Sequence, residues 1–176
     1  MKKFYRCLSV LMLGILTQAM SCDEELPEYT YILVNHVPQY PYLTTVSSAF
    51  FQANVAGYGW KWKESWRINE NGVGERYHPD QQSDYVPNDL YFGADSMTVF
   101  VYKQSSNERR TDSYTYDAAD NRILSPTIVY MQLTHADSLT ISFIEQLGSD
   151  YYESSYVRML PYELNARWNG SKPVDP

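Results

Sequence analysis

The stretch Gly57–Ile68, "GYGWKWKESWRI", holds three of the chain's four tryptophans. From Trp60 a two-residue period sets Trp60, Trp62, Glu64, Trp66 and Ile68 on one side, and Lys61, Lys63, Ser65 and Arg67 on the other. Successive side chains of a strand point to opposite faces. An indole-rich side opposed to a mostly cationic one therefore predicts a strand with one buried face.

The same period continues downstream. Strand-like segments fall at 60–69, 74–78, 89–93, 97–104, 110–118, 121–133, 138–147 and 151–160. Between them stand turn signals: "NENG" at Gly72, "GADS" at Gly93, "DAADN" at Asp120, "HADS" at Asp137 and "GSD" at Gly148. Leu139, Ile141 and Phe143 alternate with Ser138, Thr140 and Ser142. Met97, Val99 and Val101 alternate with Thr98, Phe100 and Tyr102, which makes that strand apolar on both faces. Short, evenly spaced strands with no long helix among them point to an antiparallel sandwich or barrel and away from parallel α/β folds. Upstream, "TTVSSAFFQANVAG" (44–57) reads as a short helix. Thr45 or Ser47 can cap it, Phe50 with Ala53 and Asn54 gives it a face, and Gly57 ends it in a left-handed turn.

The chain opens with Lys2, Lys3 and Arg6 ahead of an apolar core, Leu8–Leu16. That core is far shorter than the roughly 20 residues of a membrane span, so it reads as an export segment. It ends in "AMSC", which resembles the lipobox of bacterial lipoproteins, with Ala19 where leucine is usual. The resemblance implies cleavage after residue 21 and diacylation of Cys22, and hence a lipid-anchored protein of the outer membrane or cell surface of a Gram-negative bacterium. The alternative is an ordinary signal peptide that leaves Cys22 as a free thiol. Cys7 leaves with the leader, so the mature chain has no disulfide partner for Cys22. The acidic run "DEELPE" after Cys22 resembles the tag that displays lipoproteins on the surface of some gut bacteria. An aspartate at position 23 also looks like an inner-membrane retention signal of other groups.

Of 14 Lys+Arg, three lie in the first 21 residues, which leaves 11 basic against 21 acidic side chains and a net charge of −10. Phosphate backbones would be repelled, so a nucleic-acid partner is not expected. The 17 tyrosines suit strands with one buried face, or a ligand groove. The expected organisation is a signal peptide (1–21), an acidic tether and extended segment (22–43) containing "YTYILVN" and the breaking Pro38 and Pro41, a β-domain (44–162) and a polar tail (163–176).

From about Ser47 to Leu160, the order of short helix, "GYGWKWKESWRINENG", "LYFGADSMTVFVY", "YTYDAADNRIL", "LTHADSLTISF" and "YVRML" resembles the lipocalin-like domains of bacterial surface lipoproteins. The resemblance implies an all-β, antiparallel, up-and-down eight-stranded barrel with a short N-terminal helix. It also implies a Gly-x-Trp motif on the first strand with an arginine from the last strand packed on its tryptophan. Here the motif reads Gly57-Tyr58-Gly59-Trp60, with a spacing that is not the family's, and Arg158 is the matching arginine. Closure would set Trp60, Trp62 and Trp66 toward the lumen near Tyr156 and Arg158.

Glu64 shares the tryptophans' phase and Glu145 that of Phe143, so both carboxylates are candidates for the interior. Three accounts of Glu64 stand open: an ion pair with Arg158, a polar lumen end that meets a ligand, or a bulge that shifts the register and returns it to water. The ligand-lumen candidates are Trp60, Trp62, Glu64, Trp66, Phe143, Glu145, Tyr156 and Arg158. The tryptophans serve equally as barrel floor.

Catalytic and metal chemistry find little support. His36, His78 and His135 lie far apart in turn-like contexts, "NGVGER" lacks the strand–loop–helix setting of a phosphate loop, and Asp80, Asp84 and Asp89 do not follow an EF-hand spacing. "NERR" (107–110) reads as a solvated hairpin tip. The expectation is a non-enzymatic protein without a cofactor. It would bind a small apolar or amphipathic ligand or act as a cell-surface interaction module. Glycan binding through tyrosine platforms and an inhibitor or immunity-type module are the alternatives.

Overall fold

The computed structural model describes residues 31–39, 43–77, 88–102 and 107–170. The leader, Cys22, His78, Asp80, Asp84 and residues 171–176 lie outside them. The chain enters through a hairpin, β1 (Ile32–Val34) and β2 (Val37–Gln39), turned by Asn35 and His36 at φ 52° and 66°. Helix α1 (Ser48–Asn54) follows. Then come β3 (Gly59–Ile68), β4 (Gly74–Tyr77), β5 (Asp89–Phe92), β6 (Ser96–Tyr102), β7 (Asn107–Ser113), β8 (Thr115–Asp117), β9 (Arg122–Leu124), β10 (Met131–Ala136), β11 (Thr140–Leu147) and β12 (Asp150–Arg158). Helix α2 (Pro161–Trp168) ends the described chain.

Strands β3 to β12 form one antiparallel sheet ordered β7-β6-β5-β3-β12-β11-β10-β9-β8, with β4 also on β3. The ten segments run along eight lines. β4 pairs with residues 65–68 of β3 and β5 with residues 59 and 60, so the two lie end to end on the same side of β3. β7 pairs with β6 and β8 with β9, and only Tyr114 separates them. The two edges of the sheet are thus joined by one bent strand, and the meander becomes a nearly closed barrel. Segment 121–133, expected as a single strand, is instead two. β9 and β10 run antiparallel with Gln132 opposite Arg122, and Pro126 lies in the connection.

Alternation fills the lumen as a one-sided pattern should. Trp60, Leu90, Phe92, Met97, Leu133, Ile141, Phe143 and Tyr156 belong to one buried cluster. Helix α1 plugs one end. Ser47 Oγ caps it by accepting from the Phe50 amide, and Gly57, at φ 82°, closes it and donates to the Phe92 carbonyl. Its inward residues are Phe51 and Val55, both sealed from water, while Phe50 is exposed; the helix is rotated from the face expected for Phe50 and Ala53. Phe51 stacks on Tyr116 at 4.1 Å and meets Phe92 edge-on at 5.8 Å. Buried Asn121, at φ 54°, fastens the preceding segment. Its Oδ1 accepts from the Val46 amide and the Tyr116 hydroxyl, and its Nδ2 donates to the Thr44 and Leu133 carbonyls.

Two pieces cover the outside of the wall. The N-terminal hairpin brings Tyr31 against Ile68 and Ile144. Helix α2 covers β3, β5 and β6; it falls within residues 161–168, where the sequence suggested the start of a polar tail. Pro161 suits a helix start, and the Glu163 carboxylate returns to the Leu160 amide. Trp168 meets Tyr91 and Phe100 edge-on at 5.5 and 5.2 Å, which explains the apolar outer face of β6. Gly59 admits the helix, since a Cβ there would stand 2.7 Å from Leu164 Cδ1. No helix among the described residues is long and apolar enough to cross a membrane.

Candidate functional site

One residue decides which predicted side chains reach the lumen. Ser155 of β12 faces Glu64 of β3, but the next residue, Tyr156, faces Trp62. Lys63 is therefore an extra residue, a β-bulge, and the inward phase moves from Trp60 and Trp62 to Ser65. Ser65, Ser154 and Phe143 are fully buried on that inner face. Trp66 and Glu64 consequently lie on the outer wall, contrary to the phase read from the sequence. Glu64 sits 3.5 Å from Arg76 and 3.6 Å from Lys63.

The remaining candidates do face inward. Trp60 is wholly buried beside α1, and its Nε1 donates to the Val55 carbonyl at 3.2 Å. The Arg158 guanidinium lies 3.1 Å from the centroid of Tyr58 and 6.0 Å from that of Trp60, and donates to the Ser138 carbonyl. The expected arginine–indole contact is present, with Tyr58 as the nearer ring. Phe143 packs edge-on against Tyr156 at 6.0 Å. This half of the barrel is a filled core.

In the middle of the lumen a polar chain crosses three strands. Trp62 Nε1 donates to Ser65 Oγ at 2.8 Å, Ser65 and Ser154 share a hydroxyl bond of 2.8 Å, and Ser154 Oγ donates to Glu145 Oε1 at 2.7 Å. The bulge makes the chain possible by turning Ser65 inward. Glu145 is the end that reaches open space.

Beyond it, at the end away from α1, a cavity of about 400 Å³ opens. Leu90, Met97, Val99, Val101, Ile128 and Met131 supply an apolar wall, with Tyr156 at its base. The polar lining includes Asn88, Arg110, Asp112 and Glu145. Asp112 accepts from Thr127 Oγ1 at 2.7 Å, and Arg110 reaches outward to Glu108 at 3.3 Å. Burial raises the hydroxyl pKa of Tyr130, also on the lining, and that hydroxyl donates to Gln132 Oε1 at 3.0 Å. Such a volume and composition match a small-molecule site. The sequence reading missed Arg110 and Asp112: "NERR" resembles a solvated cluster, yet β7 alternates, and Arg110 and Asp112 take its inner phase opposite Val99 and Met97.

A larger concavity of about 490 Å³ lies on the outside, between the N-terminal hairpin and the β3–β4 and β11–β12 turns. Its lining is dominated by charged and polar groups such as Arg67, Glu70, Glu75 and Asp150, and Arg67 and Asp150 already pair across it at 3.0 Å. It lacks the apolar wall that a ligand of low polarity needs.

Among the described residues no cluster of three or more His, Cys, Asp and Glu could hold a metal ion. His135 is engaged by Asp137 and Thr140 in a surface turn. Asp89, one of the three aspartates weighed for calcium, is instead buried against Arg167 at 2.7 Å. No family model matches the chain, and no curated protein or solved structure is similar to it.

Proposed function

We propose that this protein is a non-enzymatic, lipid-anchored binding protein of the outer membrane or cell surface that holds a small amphipathic molecule in the open end of a lipocalin-like barrel. The observation that carries the reading is the division of the lumen. One half is packed solid with aromatic rings, while the other keeps about 400 Å³ with an apolar wall and a few polar groups. A barrel of about eight strand lines has room for one small ligand. The glycan reading is less favoured, because among the described tyrosine side chains only Tyr58 and Tyr162 are exposed, and Tyr58 is covered on one face by Arg158.

Native mass spectrometry of protein purified from its own host tests the proposal. The expected spectrum shows an added small-molecule mass that disappears when Val99→Trp fills the cavity. A spectrum of bare protein, together with failure of the purified protein to take up any amphiphile, would overturn it. Anchoring is tested separately: Cys22→Ser should move the protein from the membrane fraction to the soluble fraction.

A further inference from the structure

The N-terminal side of the chain meets the barrel at its open end. Tyr31 packs with Ile68 and Ile144, and its amide donates to the Gly72 carbonyl in the turn between β3 and β4. That turn and the β11–β12 turn, whose Leu147 and Gly148 line the cavity, stand at the end away from α1. Nine residues, 22–30, separate the start of the mature chain from Tyr31. Such a length reaches at most about 30 Å fully drawn out, and a flexible chain of that length spans about 15–18 Å on average.

The rim at this end carries exposed apolar side chains. Met131 faces Glu145, and the Gln146 amide donates to the Tyr130 carbonyl, so the register runs on to set Val129 beside Leu147. They are 74% and 38% exposed, and both line the cavity. Apolar groups are also exposed at the α1 end, Leu139 and Leu160 among them, so exposure alone does not choose a face. Tether length does. The nine residues of β12 make the wall about 30 Å long. With the α1 end on a bilayer, Tyr31 would stand that far above it. The tether would then have to be straightened throughout, at roughly 1–2 kcal/mol of backbone entropy per residue fixed. With the open end down, it stays slack. The wall beside the hairpin is no alternative, since Arg67, Glu70, Glu75 and Asp150 make it polar.

We infer that the open end of the barrel is turned to the lipid bilayer, with Val129 and Leu147 at the interface, so that a ligand passes between cavity and lipid without crossing water. The inference rests on the anchor at Cys22 proposed above.

Cys22 is the one cysteine of the mature chain, so the leaderless protein can be coupled through it to a maleimide phospholipid in phosphatidylcholine vesicles. Two tryptophans introduced singly report the two ends, Val129→Trp at the mouth and Leu139→Trp beside α1. Both positions are exposed, so neither substitution disturbs the core. In vesicles whose acyl chains carry bromine, the emission that Val129→Trp adds to the parent should be largely lost, while that added by Leu139→Trp is kept. Loss at Leu139→Trp instead, equal loss at both or loss at neither would overturn the inference. The Cys22→Ser fractionation tests the anchor apart from this. An anchored protein without quenching at Val129→Trp would keep the anchor and lose the orientation, and a native protein found soluble with Cys22 intact would remove both.

Discussion

Asp89 and Arg167, 78 residues apart, form an ion pair of 2.7 Å between side chains that are 3% and 5% exposed. The second oxygen of Asp89 accepts from the Trp62 backbone amide at 2.8 Å. That amide lies beside the Lys63 bulge, in the stretch of β3 between the part paired with β5 and the part paired with β4. One carboxylate therefore mends the strand opening and docks the C-terminal helix.

Removing one partner of such a pair strands a buried charge, which costs about 3–5 kcal/mol. Arg167→Met should accordingly lower the urea midpoint by far more than a surface substitution does. Adding Asp89→Asn should return part of that loss, because the neutral amide removes the orphan charge and keeps an acceptor for the Trp62 amide. A loss below about 1 kcal/mol for Arg167→Met would show that α2 is not fastened there.

The strands were readable because their alternation is local, and nearly every expected segment lies within a few residues of an observed one. The phase after the bulge was not. Ser65 looks like a solvent residue and Trp66 like a core residue, and only the facing strand shows the slip. Pairing of Asp89 with Arg167 leaves no local trace either, and residues 163–176 read as a polar tail although Pro161 starts a helix that runs to Trp168. Glu64 gives a direct check. On the outer wall its ion pairs with Lys63 and Arg76 are solvent-screened and worth at most about 1 kcal/mol. Glu64→Leu should leave retention of a ligand in the barrel and the unfolding midpoint nearly unchanged, and a clear loss of ligand would place Glu64 inside.

Gly72 carries the N-terminal hairpin. Its φ of 78° is in the left-handed region, its carbonyl accepts from the Tyr31 amide at 2.7 Å, and a Cβ would collide with the Tyr31 carbonyl oxygen. Backbone cannot rotate aside as a side-chain tip can. Gly72→Ala should cost about 1–2 kcal/mol in conformation alone and, beyond that, push the hairpin off the wall. Hydrogen exchange would report it as lost protection at the Tyr31 amide, with β11 and β12 still protected. Retained protection at Tyr31 would contradict the contact.

The hairpin also carries a pH dependence. Glu153, on the outer face of β12, accepts from the Tyr31 hydroxyl and from Thr134 Oγ1. Its pKa is raised, chiefly because burial disfavours the charged form, with the Tyr31 and Thr134 hydrogen bonds working against that rise. For an acid whose folded-state pKa lies above the unfolded value, the folded state holds the proton more tightly. Stability contributed by this group is then full below the unfolded value of 4.5 and falls as pH rises through the folded one. Glu153→Gln should remove that slope and leave the variant at least as stable as the parent at pH 7. Tyr31→Phe takes a donor from a charged acceptor, a loss of about 1.5–3 kcal/mol, and should therefore destabilise more at pH 7 than at pH 4. Parallel stability curves for Tyr31→Phe and the parent across this range would mean that the carboxylate is not ionised under the hairpin.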